Sequence, residues 1–108
     1  MKLIIAIIQD EDAGDVISAL NEKEFQVTRL ATKGGFLRKG NTTIMTGVEN
    51  VRVEEALKII EKNSKVRTQY ATLPSSGSAI HGLLLAPIEV KVGGATVFVL
   101  DVEQFHKY

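Results

Sequence analysis

Leu3-Ile4-Ile5-Ala6-Ile7-Ile8, closed by Gln9-Asp10-Glu11-Asp12, is the stretch on which the fold turns. Six apolar and mostly β-branched residues ending at a polar cluster fit a central strand covered on both faces. The acidic cluster supplies N-cap candidates and favourable charge for the start of a helix. Ala13, Val16, Ile17 and Leu20 follow at i, i+3, i+4 and i+7, which predicts a helix of about three turns from near Asp12 to Asn21. The run has neither the length of a membrane span nor the small-residue cleavage region of a signal peptide, so a cytoplasmic chain is expected.

The same unit follows again. Phe25 to Ala31 reads as a strand, and so does Thr42 to Val48, with Ile44, Thr46 and Val48 on one face and Met45 and Gly47 on the other. Asn50 is positioned to cap a second helix carrying Val53, Ala56, Leu57 and Ile60. Glu54 and Glu55 lie early in it and Lys58 and Lys62 late, matching the helix dipole. Val66 to Leu73 reads as a further strand. The order βαββαβ predicts an α+β, ferredoxin-like antiparallel sheet with both helices on one face. Beyond it, Ile88, Val90 and Val92 alternate with Glu89 and Lys91, and Gly93-Gly94 leads into Ala95 to Val102, which predicts an added C-terminal β-hairpin. The sheet face without helices must be buried by that hairpin or by another subunit.

A length of 108 residues sets the expectation of a single domain, 1–108. Lys plus Arg and Asp plus Glu each number 13, so there is no broad basic surface for a nucleic-acid polymer. The absence of cysteine excludes disulfides, thiol catalysis and Cys-ligated metal. His81 and His106 have no carboxylate at metal-ligand spacing, and no metal site is expected. Ser75, Ser76 and Ser78 sit in a Pro/Ser/Gly stretch without a nucleophile elbow, and no catalytic residue is expected.

The stretch from Ala31 to Thr43 is the best candidate for binding. Gly35 to Thr42 has the spacing of a phosphate-binding loop, but Asn41 replaces the lysine and strands are expected on both sides, which excludes the nucleotide-hydrolysing motif. Glycines that let backbone N–H groups approach a ligand, Lys33, Arg38 and Lys39 for phosphate, Phe36 for stacking, and Thr28 and Asn41 for a base edge still suit a nucleotide. By composition alone, a plain hairpin loop is the simpler account. Phe98 reads first as core packing and second as a pocket wall between subunits.

Four separated blocks go further. Met1 to Asp10, Phe25 to Leu37 (with Val27-Thr28, Leu30-Ala31-Thr32 and Gly34-Gly35-Phe36-Leu37), Gly40-Asn41-Thr42-Thr43 and Val92 to Val99, closed by Phe105-His106, resemble the cyclic-di-AMP receptor family of PII-like signalling proteins. The resemblance implies a non-enzymatic homotrimer that binds cyclic di-AMP between subunits, needs no cofactor, and relays binding through long loops to a protein partner not identified by sequence. It implies Thr28 and Asn41 as polar contacts, Gly47 as a backbone contact to an adenine, and Gly35, Phe36 and Leu37 closing over the ligand. Phe98 of the neighbouring subunit would line the pocket.

Departures from the pattern fall at Glu24 and Gln26, where the family has Asn-Phe-Arg against Glu24-Phe25-Gln26, at Lys107, where it has glutamine, and at Ser76 to Leu85. Gln26 and Lys107 are therefore ligand-site candidates with altered chemistry. The alternative is a PII-like trimer that binds a different nucleotide or acts through protein contacts alone. An acylphosphatase-like enzyme on the same core is disfavoured, because Gln9-Asp10-Glu11-Asp12 would repel phosphate where a cradle is needed.

Overall fold

A computed structural model describes residues 1–30, 40–71 and 88–108. Among these are β1 (Lys2–Gln9), α1 (Asp10–Glu22), β2 (Thr28–Leu30), β3 (Asn41–Val48), α2 (Val53–Ser64), β4 (Arg67–Ala71), β5 (Ile88–Val92) and β6 (Ala95–Asp101). Gly35, Phe36, Leu37, Ser75, Ser76, Ser78 and His81 lie outside the described residues.

The first strand behaves as its composition requires. Ile4, Ala6 and Ile8 point into the core with Ile44 and Val48 of β3, Val16 and Leu20 of α1, and Ala56 and Ile60 of α2. Burying each large aliphatic side chain contributes about 1.5–3 kcal/mol, so this cluster fixes both helices to one sheet face. The sheet is antiparallel, in the order β2-β3-β1-β6. Its register places Leu3 opposite Gly47 and Leu100, and Ile5 opposite Met45 and Phe98. Those residues face away from the helices, and Phe98 is 51% exposed.

The ferredoxin-like class holds, but the expected C-terminal hairpin does not form. β5 pairs with β4 in a separate two-stranded sheet, and β6 pairs with β1 to complete the main sheet. The reason is Gly93-Gly94. Both have positive φ, 87° and 95°, as a tight turn needs. Here they form a corner pressed onto the end of α2. The Gly94 N–H donates to the Ser64 carbonyl, and the Gly93 N–H donates to Gln9 Oε1 at 2.7 Å. A Cβ at Gly93 would stand 2.6 Å from the Lys65 carbonyl oxygen and 2.7 Å from Arg67 Nη1. The chain leaves one sheet and enters the other at this point.

The acidic cluster also has a different role from the expected cap. α1 starts at Asp10 itself, after Gln9, without a side-chain capping bond, although its first turn carries the favourable charge. Asp10 accepts from Thr42 Oγ1 at 2.5 Å, and its N–H donates to the Gly40 carbonyl at 2.8 Å. Asp12, only 4% exposed, takes a two-pronged pair from Arg67 at 2.7 and 3.2 Å. The hydrogen bond to Asp12 raises the Arg67 pKa above its ordinary value, assisted by the charges of Asp12, Glu11 and Asp15 against a cost of desolvation. Nor does Asn50 cap α2: it opens a 3₁₀ turn, Asn50–Arg52, and the helix follows from Val53. The Arg52 N–H is satisfied within that turn by the Glu49 carbonyl at 2.9 Å.

Two outcomes follow from this packing. Gly93→Ala combines backbone strain with a main-chain clash and should lower unfolding free energy by about 2–4 kcal/mol in urea titrations. Lys2 pairs with Asp101 across β1 and β6, and its hydrogen bond and charge hold the Asp101 carboxyl below the usual value. The folded chain therefore binds fewer protons there than the unfolded chain. The contribution is present above the ordinary carboxylate pKa and is lost as pH falls through the lowered folded value. Asp101→Asn should flatten the acid limb of the stability profile measured by thermal melts from pH 7 to about 2.5.

Candidate functional site

The end of α1 sets the geometry at one side of the sheet. Glu24 N–H donates to the Asn21 carbonyl at 2.9 Å and Phe25 N–H to the Leu20 carbonyl at 3.0 Å, the paired bonds of a Schellman end. Glu24 occupies the left-handed position of that motif, with φ 66°, and is the one non-glycine residue with positive φ among those described. Phe25, expected in a strand, is instead buried beside the helix end, with the Arg52 guanidinium 4.0 Å from its ring centroid. Gln26 follows, and its carbonyl accepts from Thr46 Oγ1 at 2.7 Å, which ties the segment to β3 before β2 begins at Thr28.

Two cavities open beside this segment. One, about 490 Å³, is lined by Glu24, Gln26, Gly47, Arg52, Phe105 and Lys107 among others. The second, about 220 Å³, is lined by Leu3, Gln26, Thr28, Met45, Gly47 and Phe105 among others. Met1, Gln26, Gly47 and Phe105 line both, so the two are neighbours. The larger has two carboxylates, Glu24 and Glu49, and two cations, Arg52 and Lys107. A further cavity of about 360 Å³ lies between α2 and β6, lined by Leu57, Ile60, Val66, Gly94 and Val97 among others, and contains none of the candidates.

The structure therefore places Gln26, Gly47 and Lys107 in the larger cavity and Gln26, Thr28 and Gly47 in the smaller. It does not bring Asn41 or Phe98 to them. Asn41 begins β3, six residues and about 20 Å from Gly47 along the strand. Phe98 lies in the register row Thr28, Met45, Ile5, Phe98, about 14 Å across the sheet from Thr28. All four share the face opposite the helices, because alternation along each strand puts them there.

Arg52, Phe105 and Glu24 are among the lining residues that escaped the sequence as site candidates. Arg52 reaches the cavity through a non-local contact with Phe25 that has no local signature. Phe105 was legible as an isolated aromatic in the polar tail Glu103-Gln104-Phe105-His106-Lys107. Glu24 was legible as a departure, but nothing local marks glutamate for a left-handed backbone. Among the described residues no group of three or more His, Asp or Glu is placed to hold a metal, and no helix is long and apolar enough to cross a membrane.

The sheet order and the two helices on one face define a small PII-like protein of the ferredoxin-like class. The chain belongs to the cyclic-di-AMP receptor family, whose model matches residues 1–108. It is also similar to a functionally unknown protein from Pediococcus pentosaceus ATCC 25745, known from a crystal structure. The two are 44% identical and superpose with a TM-score of 0.78, over 99% of this chain and 96% of that one. Family membership supports a nucleotide-binding signalling role rather than a catalytic one.

A left-handed glutamate is costly by about 1 kcal/mol relative to glycine at the same position. Glu24→Gly should accordingly raise unfolding free energy by roughly that amount, with Glu24→Asn giving a smaller gain, as read from urea midpoints at unchanged slope.

Proposed function

We propose that this protein is a non-enzymatic receptor that binds cyclic di-AMP at sites shared between the subunits of a homotrimer and relays binding to a protein partner. The reading extends the family's description to this chain. The observation that carries it is the distribution of the expected contacts. Thr28, Asn41, Gly47 and Phe98 share one sheet face, yet they are spread too widely for one chain to close around a small ligand. A second copy presenting its own Phe98 is the economical way to complete the site. The exposed Phe98 and Leu100, beside Leu3, Ile5 and Met45, give that copy an apolar surface to cover.

In this site Thr28 and Asn41 provide hydrogen bonds, the Gly47 backbone approaches an adenine, and Gly35, Phe36 and Leu37 close over the ligand. Signal passes through the segments that follow β2 and β4; the first rejoins the sheet beside Gln9 and Asp10, and the second is carried on the β4–β5 ribbon whose root lies at Gln9 and Asp12. A second reading, a PII-like trimer with a different nucleotide or none, is favoured by one feature: Glu24 and Glu49 line the cavity that would face a dianionic ligand.

Isothermal titration with cyclic di-AMP, ATP and cyclic di-GMP, alongside sedimentation equilibrium, separates the two. Saturable cyclic di-AMP binding at one site per subunit of a trimer is expected. Asn41→Ala should weaken it by about 1 kcal/mol, roughly fivefold, without changing the melting temperature. A trimer that binds another nucleotide, or none, favours the second reading, and a stable monomer removes the shared site altogether.

A further inference from the structure

The tail after β6 leaves the sheet beside the start of β1. Val102 N–H donates to the Met1 carbonyl at 3.2 Å, and Phe105, 63% exposed, walls both cavities at the Gln26 end of the sheet. Two residues further on, Lys107 lines the larger cavity.

The charges in that cavity are not equally available. Arg52 is already committed three times: Nε donates to Glu55 at 3.0 Å, Nη2 donates to the Lys23 carbonyl at 2.8 Å, and the guanidinium lies over Phe25. Swinging it toward a ligand would forfeit these contacts. Lys107 makes no ion pair among the described residues. Gln26, on the facing segment, offers only a neutral amide. Glu24 and Glu49 both disfavour an anion. A phosphate entering here meets one uncommitted side-chain cation, carried on a flexible four-carbon stem.

We propose that Lys107 is the specificity-determining residue of this cavity, the cation that selects a phosphate-bearing nucleotide over an uncharged nucleoside. The assignment rests on the function proposed above, in which the cavity faces a dianionic ligand, and adds that a phosphate of that ligand meets Lys107. Its chemistry has three consequences. Affinity for the charged ligand depends on Lys107. Affinity for adenosine, which has the base and sugar without phosphate, does not. Part of the salt dependence of binding also belongs to this one ammonium, because an exposed charge contact is screened by salt.

The test uses the full chain. Lys107→Gln, Lys107→Arg, and Lys107→Gln combined with Gln26→Arg are titrated with cyclic di-AMP and with adenosine at low and high salt, with thermal melts as folding controls. Lys107→Gln should weaken cyclic di-AMP about tenfold, flatten its salt dependence and leave adenosine unchanged. Lys107→Arg should retain binding. Gln26→Arg should restore it in the Lys107→Gln background, because position 26 faces the same cavity. If wild type binds cyclic di-AMP and Lys107→Gln binds equally well with the same salt dependence, the proposal is wrong while the receptor reading stands. Equal losses for cyclic di-AMP and adenosine would make Lys107 a structural residue of the tail and also overturn it. If wild type binds no cyclic di-AMP at either salt concentration, the receptor reading fails and this assignment falls with it.

Discussion

The Gly93-Gly94 corner against the C-terminus of α2 decides which strand completes the sheet. Only residues without a Cβ fit where the Gly93 backbone lies against the Lys65 and Ser64 carbonyls. The Gly94 N–H also satisfies a helix-end carbonyl that would otherwise lack a partner. Once this corner is seated, β6 lies along β1, and Phe98 and Leu100 join Leu3, Ile5 and Met45 on the uncovered face. The β4–β5 ribbon is then left outside the main sheet. It is held at its root by Arg67 to Asp12 and by Gly93 to Gln9, both at the junction where β1 becomes α1. Asp10 of that junction also holds Gly40 and Thr42. One short turn of chain therefore anchors both the point where the chain re-enters the sheet at β3 and the root of the β4–β5 ribbon.

The elements were legible in the sequence where the periodicity was local. Leu3 to Ile8 and the two helical stripes appear close to where the spacing puts them, because burial of Ile4, Ile8, Val16, Leu20 and Ile60 in one cluster rewards that spacing directly. The partner of β6 was not legible. A Gly-Gly pair between two alternating runs has the same local signature whether it closes a hairpin or turns a corner. The choice is made by Ser64, Lys65 and Gln9, which are distant in sequence. Phe25 is a similar case: its strand-like neighbours predict an extended residue, but a Schellman end to α1 and the guanidinium of Arg52 place it in the core beside the helix.

The same division holds for the site. Thr28 and Gly47 are placed by strand alternation, so their common face follows from the sequence once the register is known. Arg52 and Phe105 arrive through tertiary contacts and could not be ranked from their neighbours in the chain. Two of the departures noted in the sequence, Gln26 and Lys107, are 81 positions apart and line one cavity. A charge missing from one segment and present on the other still enters the same space. Taken one at a time along the chain they look like separate changes; in the fold they line the same cavity, which is what the proposed role of Lys107 builds on.

Glu24 shows why the location of that charge matters. Its backbone is fixed by the bonds that end α1, so the direction of its Cα–Cβ bond is set by the helix rather than by whatever occupies the cavity. A carboxylate fixed at its base in this way cannot retreat far from an incoming phosphate. Arg52 cannot advance without abandoning Phe25, Glu55 and the Lys23 carbonyl. Lys107 differs from both, because its stem is long and it makes no ion pair with any described residue. The cavity therefore combines a carboxylate whose backbone position is set by the fold with a cation free of ion pairs among the described residues, and in the proposed receptor the second is the group that meets an anion.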